Sequence, residues 1–402
     1  MRVLITSSIY PTPGAPKIVG GAEIFARRLA ESLVEAGDTV EVVRAETERD
    51  QPVEECNGVT VYSAPVQNIY PPFSKPRSAP VRGIWHAIED WQSSATLVSK
   101  RIQAFKPDCM HSNNLSGLTA AIWKSALDQD VPVVHTLHDY YLTCPRCSRF
   151  MAGHACERTC LSCEILTINR KRATRQLHAV VGVSQRVLDI HTNLGLFSDT
   201  PLRTVIRNAS TATLKPQMRV RSGTEVIFGF IGRLTVEKGI DNLVQAFAAI
   251  PKDKVRLVIA GRASESEQQR LMALAPEARI EFLGFVSPEE FYGQIDVAVA
   301  PSIWEDPGPL VVADASAAGR PILGTHFGGM PEAIQPGVNG WLTAADPESM
   351  TRSILAIVEN PQEIAEISER LANAPNKWTF PDVVTEYRNL FDRVRQPKNN
   401  LK

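Results

Sequence analysis

Two carboxylates in the C-terminal part of the chain have a spacing that suits a polar ligand. Asp306 lies in a Pro/Gly-rich loop, and Asp314 follows after seven intervening residues, in a segment of helical character that is rich in small residues. Carboxylates accept paired hydrogen bonds, and the hydroxyl groups of a sugar or a ribose offer such pairs. The alternative is structural, with Asp306 capping a helix and Asp314 an ordinary member of it.

Gly232, Arg233 and Lys238 form a second candidate set, which could bind phosphate. Gly232 ends a short apolar run, and the two basic residues follow it closely. The glycine lets the backbone approach a phosphate, while the Arg233 fork and the mobile Lys238 charge could neutralise a departing diphosphate. The alternative is a surface turn with an exposed basic pair.

Two glycine pairs occupy further loops that could hold a ligand. Gly328 and Gly329 would admit a bulky group at little steric cost, although nearby Glu332 could equally stabilise the start of its own helix. Gly20 and Gly21 precede a predicted helix, whose exposed amide groups could cradle an anion. Both loops are therefore candidates for ligand contact.

The elements that position these residues follow from the alternation of short apolar segments with segments of helical periodicity, from residues 2–6 to residues 321–323. Such alternation predicts parallel sheets covered by helices on both faces. Ligands bind beyond the carboxyl ends of the strands in such sheets. His138 follows the strand predicted at residues 133–135, which places it at that edge, although a lone histidine is more often structural.

The chain of 402 residues is longer than one hydrophobic core usually organises, so two domains are expected. The alternation pauses at residues 208–224, where we place the linker. The predicted fold class is therefore α/β, with two doubly wound, Rossmann-like domains facing a cleft. The boundaries we assign are residues 1–208, residues 209–375 and a final helical segment at residues 376–402.

Five of the seven cysteines lie within residues 144–163. Two CxxC pairs, Cys144 with Cys147 and Cys160 with Cys163, could bring four thiolates to one tetrahedral ion. We predict a structural zinc site formed by these four residues and leave Cys156 out. An iron–sulfur cluster, a redox pair and free thiols are the alternatives.

The charge balance of 43 basic and 44 acidic residues lacks the basic excess of a nucleic-acid-binding protein, so no nucleic-acid partner is expected. No apolar run approaches the roughly 20 residues of a membrane span. We expect a cytoplasmic protein, at most peripheral on the inner face of the membrane. A helix predicted at residues 84–105 carries Trp85 and Trp91 beside basic residues and could contact a membrane surface, although we favour a packed helix.

The spacing of Asp306 and Asp314 resembles the paired-acid motif of family-four retaining glycosyltransferases, in which both acids are usually glutamates. The resemblance implies that the first acid lies near the donor sugar and that the second binds the ribose hydroxyls. Glu305, directly before Asp306, competes for the sugar-side role. The segment with Gly232, Arg233 and Lys238 is similar to the donor-phosphate motif of the same family.

The other candidates also match strand-end positions of that family. By resemblance, His138 is the acceptor-side histidine, and Gly20 and Gly21 lie near the donor phosphate and the acceptor. The implied catalytic residues are His138, Arg233, Lys238 and Asp306. The implied donor-binding residues are Gly20, Gly21, Gly232, Glu305, Asp314, Gly328, Gly329 and Glu332.

The resemblance implies a two-domain GT-B glycosyltransferase. Residues 1–208, with a cysteine-rich insertion at residues 144–163, would bind a glycan, lipid-linked or small-molecule acceptor, and residues 209–375 a nucleotide-sugar donor. The C-terminal helix would return to the N-terminal domain. The implied reaction retains the anomeric configuration, needs no catalytic metal and serves polysaccharide or glycoconjugate biosynthesis. The alternatives are a nucleotide-sugar epimerase and a non-catalytic nucleotide-sugar-binding protein.

Overall fold

The computed structural model describes residues 1–14, 20–46, 53–66, 68–70, 77–89, 94–216, 225–373 and 378–396. It divides into two compact units. Unit 1 comprises residues 1–149, 156–207 and 381–402, and unit 2 comprises residues 150–155 and 208–380. Each unit is built around its own β-sheet.

The chain alternates strands and helices from end to end. The strands are β1 (Arg2–Ser7), β2 (Thr39–Glu46), β3 (Glu54–Cys56), β4 (Val59–Pro65), β5 (Cys109–Ser112), β6 (Val133–Leu137), β7 (Phe150–Met151), β8 (His154–Ala155), β9 (Ala179–Gly182), β10 (Leu202–Val205), β11 (Val226–Ile231), β12 (Val255–Ala260), β13 (Ile280–Gly284), β14 (Val297–Ala300), β15 (Ile322–Thr325) and β16 (Gly340–Thr343). The helices are α1 (Gly21–Glu35), α2 (Ala79–Glu89), α3 (Ser94–Phe105), α4 (Ala121–Leu127), α5 (Leu161–Ala173), α6 (Gln185–Asn193), α7 (Ile240–Ala248), α8 (Glu265–Leu274), α9 (Pro288–Gln294), α10 (Leu310–Ala317), α11 (Met330–Ala333), α12 (Pro347–Glu359), α13 (Pro361–Asn373) and α14 (Phe380–Val394).

The sheet of unit 1 has the strand order β10-β9-β6-β5-β1-β2-β4-β3, and only β3 is antiparallel to its neighbour. Interior strands such as β1 are continuous apolar runs, because both faces of a parallel sheet are covered. Val3, Leu4 and Ile5 are accordingly fully buried. The strand order reverses between β1 and β5, which is where ligands bind in doubly wound sheets.

Helix α14 packs on unit 1, as the resemblance implied. Its Tyr387 is fully buried, and the Tyr387 hydroxyl lies 3.0 Å from Thr136 Oγ1 on β6. The Tyr387 ring also lies against His111 on β5, with centroids 5.0 Å apart. The C-terminal segment therefore completes the core of the first unit.

The sheet of unit 2 is entirely parallel, in the order β13-β12-β11-β14-β15-β16. Its strand order reverses between β11 and β14. Fully buried residues of these strands and of α7, including Phe228, Leu257, Val297 and Leu243, form the core on one face. The loops after β11 and β14 therefore meet at the edge where a ligand is expected.

The helix predicted at residues 84–105 is instead two helices, α2 and α3. Trp91 lies outside the described residues. Trp85 is buried, and its indole N–H donates to the Tyr70 carbonyl at 2.7 Å, so it packs inside the protein as favoured. Arg101 on α3 is paired with Glu41. Within the described part of the chain, no helix combines the length and the apolar character that a membrane crossing requires.

Candidate functional site

The loops after β11 and β14 approach each other closely in unit 2. Gly239 adopts a φ of +72°, and a Cβ at this position would lie 1.9 Å from the Pro301 carbonyl oxygen. The Ile303 N–H donates to the Glu237 carbonyl at 3.0 Å, which ties the two loops together. Only glycine permits this approach, because any side chain would collide with backbone.

This approach brings Lys238 and Asp306 into an ion pair, although 68 positions separate them. The Lys238 Nζ lies 2.5 Å from Asp306 Oδ2, with the lysine side chain 24% exposed and the aspartate side chain 8% exposed. The Lys238 ammonium also lies 5.4 Å from the centre of the Trp304 ring. The Lys238 cation is thus held at the switch point of the sheet. Its side chain is more exposed to solvent than that of Asp306.

The Gly328–Gly329 loop packs against the same carboxylate segment. Gly328 has a φ of +60°, and a Cβ there would lie 2.1 Å from the Asp306 carbonyl oxygen. The Gly329 N–H donates to that oxygen at 2.8 Å, and the Gly328 N–H donates to Glu305 Oε2 at 3.2 Å. Both amides are therefore used within the protein, so their predicted contact with a donor would have to use other atoms of the loop.

Asp314 lies in the second turn of α10 and has a different set of neighbours. Its Oδ1 accepts a hydrogen bond of 2.6 Å from the Ser210 hydroxyl. Burial raises the pKa of Asp314 to about 6. Asn208, two residues before Ser210, donates to the Gly308 carbonyl at 2.9 Å. The segment at residues 208–210 therefore lies against the loop and helix that carry both aspartates.

Arg233 is the more exposed basic residue of the predicted phosphate set. Its side chain is 50% exposed, and its ion pair with Glu237 is 3.8 Å long. The Thr235 hydroxyl on the same loop is buried without a hydrogen-bond partner among the described residues. Gly232 begins this loop, and Glu332 is half-buried on α11. The loop after β11 thus presents, at the switch point, a half-exposed guanidinium in a long ion pair and a hydroxyl without a hydrogen-bond partner among the described residues.

The candidates in unit 1 gather at the reversal of its own sheet. Gly20 precedes α1, and its N–H donates to Glu23 Oε2 at 2.6 Å, while Gly21 is the first residue of the helix. The Gly20 amide therefore already has an acceptor within the protein, so it is not available as one of the donors of the predicted anion site.

His138 follows β6 and is held by neighbours from two other elements. Its Nε2 lies 3.0 Å from Asn113 Oδ1 after β5, and its ring lies 5.1 Å from the Phe25 ring on α1. Burial lowers the pKa of His138 to about 3, so the imidazole is neutral at physiological pH. Burial also raises the pKa of the adjacent Asp139 to about 6.

Three polar residues that follow β1 and β5, one of which is the His138 partner Asn113, were not predicted as site residues. The Ser8 hydroxyl, the Asn113 Nδ2 and the Asn114 Oδ1 are buried without hydrogen-bond partners among the described residues. They follow β1 and β5, between which the strand order reverses. An unpaired buried polar group costs about 1–3 kcal/mol, so such a cluster points to a polar ligand. The sequence feature that could have identified these residues is their position directly after two apolar strands.

The cysteine-rich segment brings three thiols together. Cys160 precedes α5, and its Sγ lies 3.2 Å from Cys163 Sγ and 3.2 Å from the Ser162 hydroxyl. Cys144 is buried, and burial together with the neighbouring Cys160 and Cys144 thiols raises the pKa of Cys163 to about 12. Within the described residues, however, no group of three or more His, Cys, Asp or Glu side chains is arranged to hold a metal ion. A zinc site formed by Cys144, Cys147, Cys160 and Cys163 therefore stays a prediction.

Comparison with known proteins identifies the family. The model described as "Glycosyl transferase 4-like domain" matches residues 20–209, and that described as "Glycosyl transferases group 1" matches residues 225–360. An uncharacterised 42.6 kDa protein in the cps region of Klebsiella pneumoniae is 30% identical over 334 residues, which are 83% of this chain and 87% of that protein. This chain belongs to the group 1 glycosyltransferases.

Solved structures share the GT-B fold of this glycosyltransferase. Sucrose-phosphate synthase from Thermosynechococcus elongatus superposes with a TM-score of 0.73 at 18% identity, over 98% of each chain. HepE of Anabaena, in complex with UDP-glucose, gives a TM-score of 0.70 at 17% identity, over 98% of this chain and 99% of that one. The predicted family and fold class are confirmed; the likeness to these two structures concerns the fold alone.

Proposed function

We propose that this glycosyltransferase uses a nucleotide-diphosphate sugar and transfers the sugar with retention of configuration. The Lys238–Asp306 ion pair at the switch point of unit 2 carries the proposal. A cation held there by a buried carboxylate, beside the exposed Arg233, suits a diphosphate leaving group. The complex of HepE with UDP-glucose supports beginning the search for a donor with UDP-sugars.

The donor would rearrange the ion pair when it binds. In our proposal the diphosphate attracts the Lys238 ammonium, because a doubly charged group competes well with one carboxylate. Asp306 is then free to accept hydrogen bonds from the sugar hydroxyls, with Glu305 as a competing acceptor. Asp314 would accept the ribose hydroxyls. These basic side chains and the amides of helix starts would stabilise the departing phosphate, so no catalytic metal is expected.

The chemical step would be same-face attack by an acceptor hydroxyl on the anomeric carbon. The bond from that carbon to the phosphate oxygen breaks as the new glycosidic bond forms, and the departing phosphate takes the hydroxyl proton. His138, neutral and held by Asn113, would orient the acceptor. The acceptor would be a glycan, a lipid-linked molecule or a small molecule. The Klebsiella relative in a cps region supports a place in polysaccharide or glycoconjugate biosynthesis.

The reaction is tested by incubating the full chain with UDP-, GDP-, ADP- and TDP-sugars and simple glycan acceptors and following the anomeric protons by NMR. We expect one nucleotide class to be consumed and its sugar to appear in a product of unchanged anomeric configuration. Inversion of the anomeric centre would overturn the retaining mechanism. Formation of a stereoisomeric nucleotide sugar without acceptor would indicate the epimerase alternative, for which the described residues offer no support.

We also propose that the cysteine-rich segment holds a structural zinc ion. The proximity of the Cys144, Cys160 and Cys163 thiols supports the proposal. Among the described residues, however, no three His, Cys, Asp or Glu side chains are already arranged to hold a metal ion, so the four predicted cysteines would have to move to bind one. The test is elemental analysis of protein purified without chelator, together with a Cys163→Ser variant. About one zinc per chain, lost in the variant, is expected. Metal-free protein with all thiols titratable would contradict the proposal.

A further inference from the structure

Helix α5 has its polar and apolar faces reversed. Leu161, Ile165 and Ile168 are 76%, 63% and 46% exposed, and their spacing of four and three residues places them on one stripe. The opposite side carries Thr167 and Arg170, both fully buried. A surface helix of a globular domain normally turns its apolar stripe inward.

Buried polar contacts fix this orientation. The Arg170 guanidinium pairs with Glu89 Oε2 at 2.7 Å, donates to the Tyr141 carbonyl at 3.2 Å and lies 3.9 Å from the centre of the Tyr141 ring. Glu89 also accepts the Gly117 N–H at 2.7 Å. Rotation of α5 to bury the apolar stripe would separate a buried ion pair, which is strongly unfavourable. The apolar stripe is therefore held outward.

Exposed arginines lie at both ends of this stripe. Arg158 precedes α5, Arg172 continues the stripe one turn beyond Ile168, and Arg175 follows the helix. Arg172 and Arg175 form no ion pair within the described residues, whereas Glu164 is neutralised by Lys171 at 2.5 Å. Residues 144–175 contain seven basic and two acidic residues, whereas the rest of the chain contains 36 basic and 42 acidic residues. Two of the seven, Arg149 and Arg170, are buried and do not contribute to this surface. The surface around α5 is thus apolar in the middle and cationic at its ends.

A groove of about 300 Å³ runs between α4 and α5. Lys124, Asn169 and Arg172 line it together with the apolar Leu127. Lys124 is paired with Asp128 at 2.6 Å, so the positive charge that continues from the end of the stripe into this concave surface is that of Arg172. Such a groove suits an anionic headgroup lying beside the helix.

We propose that α5 docks on the surface of an anionic phospholipid bilayer. Leu161, Ile165 and Ile168 would enter the boundary between headgroups and acyl chains, while Arg158 and Arg172 would lie at the phosphate level. Three aliphatic side chains cover much less than the roughly 800 Å² that each partner contributes to a stable protein interface. The arrangement of an apolar stripe between arginines favours the bilayer. Docking would also bring a lipid-linked acceptor close, a consequence that rests on the proposed function.

The experiment is flotation of the full chain with vesicles of phosphatidylcholine alone and with vesicles that also contain phosphatidylglycerol. We expect binding to the anionic vesicles, and at least about tenfold weaker partitioning of the Leu161→Ser/Ile165→Ser/Ile168→Ser variant. Arg172→Glu should weaken binding about fivefold or more. Lys254→Glu, an exposed reversal of the same charge in unit 2, is the matched control and should bind like the unchanged protein.

Three results would overturn the proposal. They are no binding of the unchanged protein to either vesicle, retained binding by the triple serine variant, and equal losses with Arg172→Glu and Lys254→Glu. A self-associated protein that becomes monomeric in the triple variant, without binding vesicles, would instead make this face a protein interface. Donor consumption in vesicle-free buffer should be unchanged in the triple variant, so failure of docking and failure of the proposed function are distinguished.

Discussion

At the residue scale, the ion pair with Lys238 distinguishes Asp306 from Glu305, the two candidates for the acid near the donor sugar. Asp306 contacts the cation directly, whereas Glu305 accepts the Gly328 N–H at 3.2 Å. Removal of the Asp306 charge should therefore affect both the contact with the reacting sugar and the position of Lys238, which we propose binds the phosphate. Removal of the Glu305 charge should mainly weaken its hydrogen bond to the Gly328 loop.

Asp306→Asn should lower kcat by about 100-fold or more, because it removes a preorganised charge beside the reacting centre. Glu305→Gln is the matched control and should lower kcat by less than about tenfold. The measurement is steady-state transfer with the donor identified by the NMR screen. The reverse order of effects would assign the sugar-side role to Glu305 instead.

The raised pKa of Asp314, about 6, predicts a pH dependence of donor binding. An ionised carboxylate accepts both ribose hydroxyls, so donor affinity should fall as the pH falls through 6. Folding responds with the opposite sign: the folded-state pKa lies above the ordinary value of 3.8, so ionisation of Asp314 lowers stability as the pH rises from about 4 to 6.

Calorimetric titration of the donor between pH 5 and pH 8 provides the measurement, because it reports binding alone and does not depend on the rate of transfer. The Asp314→Asn variant should bind more weakly at pH 8 and show little change with pH. An unchanged pH profile in this variant would remove Asp314 from the donor site.

The candidate residues could be found from sequence because they follow apolar strands. Lys238, Asp306 and His138 were placed at strand ends in this way, and the structure puts each of them there. The side chains that these residues contact could not be predicted from the sequence. The Lys238–Asp306 pair depends on which strands are adjacent, and the buried polar atoms of Ser8 and Asn113 become evident only when burial is known.

At the scale of elements, interior strands were predicted and some edge strands were not. Strands β1 and β11 are continuous apolar runs, whereas β10 and β16 are short, partly exposed strands at the edges of their sheets. An edge strand has one neighbour and needs less apolar surface, so its sequence signal is weak. The break between α2 and α3 was missed because helical periodicity continues on both sides of it.

Gly239 determines whether the loop after β11 can place Lys238 correctly. Gly239→Ala combines a φ of +72° with a Cβ contact of 1.9 Å, so the two loops must separate. We expect a loss of at least about 2 kcal/mol in the free energy of unfolding and markedly weaker donor binding. The measurements are urea denaturation and donor calorimetry.

Gly284→Ala is the matched control for this substitution. Gly284 has a similar φ of +68°, but a Cβ there meets no atom within 4 Å. The left-handed conformation alone should cost about 1–2 kcal/mol and leave donor binding unchanged. Equal losses of donor affinity in both variants would show that close approach at Gly239 does not position the site.

At the scale of the whole molecule, each unit has its candidate residues at the reversal of its own strand order. Unit 1 presents His138 and the buried polar atoms around Asn113, and unit 2 presents Arg233, Lys238 and Asp306. From this arrangement we propose that unit 1 binds the acceptor and unit 2 binds the donor. The outward stripe on α5 adds a surface that neither half needs for its sheet.

The central claim is that unit 2 binds the donor diphosphate through Lys238. The most direct test is calorimetric titration of the matching nucleoside diphosphate into the unchanged protein, Lys238→Met and Lys254→Met, the last a surface control. We predict saturable binding that weakens about 10- to 100-fold in Lys238→Met, as expected for a lost charge-assisted contact, and is unchanged in Lys254→Met. Equal affinity in all three proteins, or no binding of any nucleoside diphosphate, would contradict the claim.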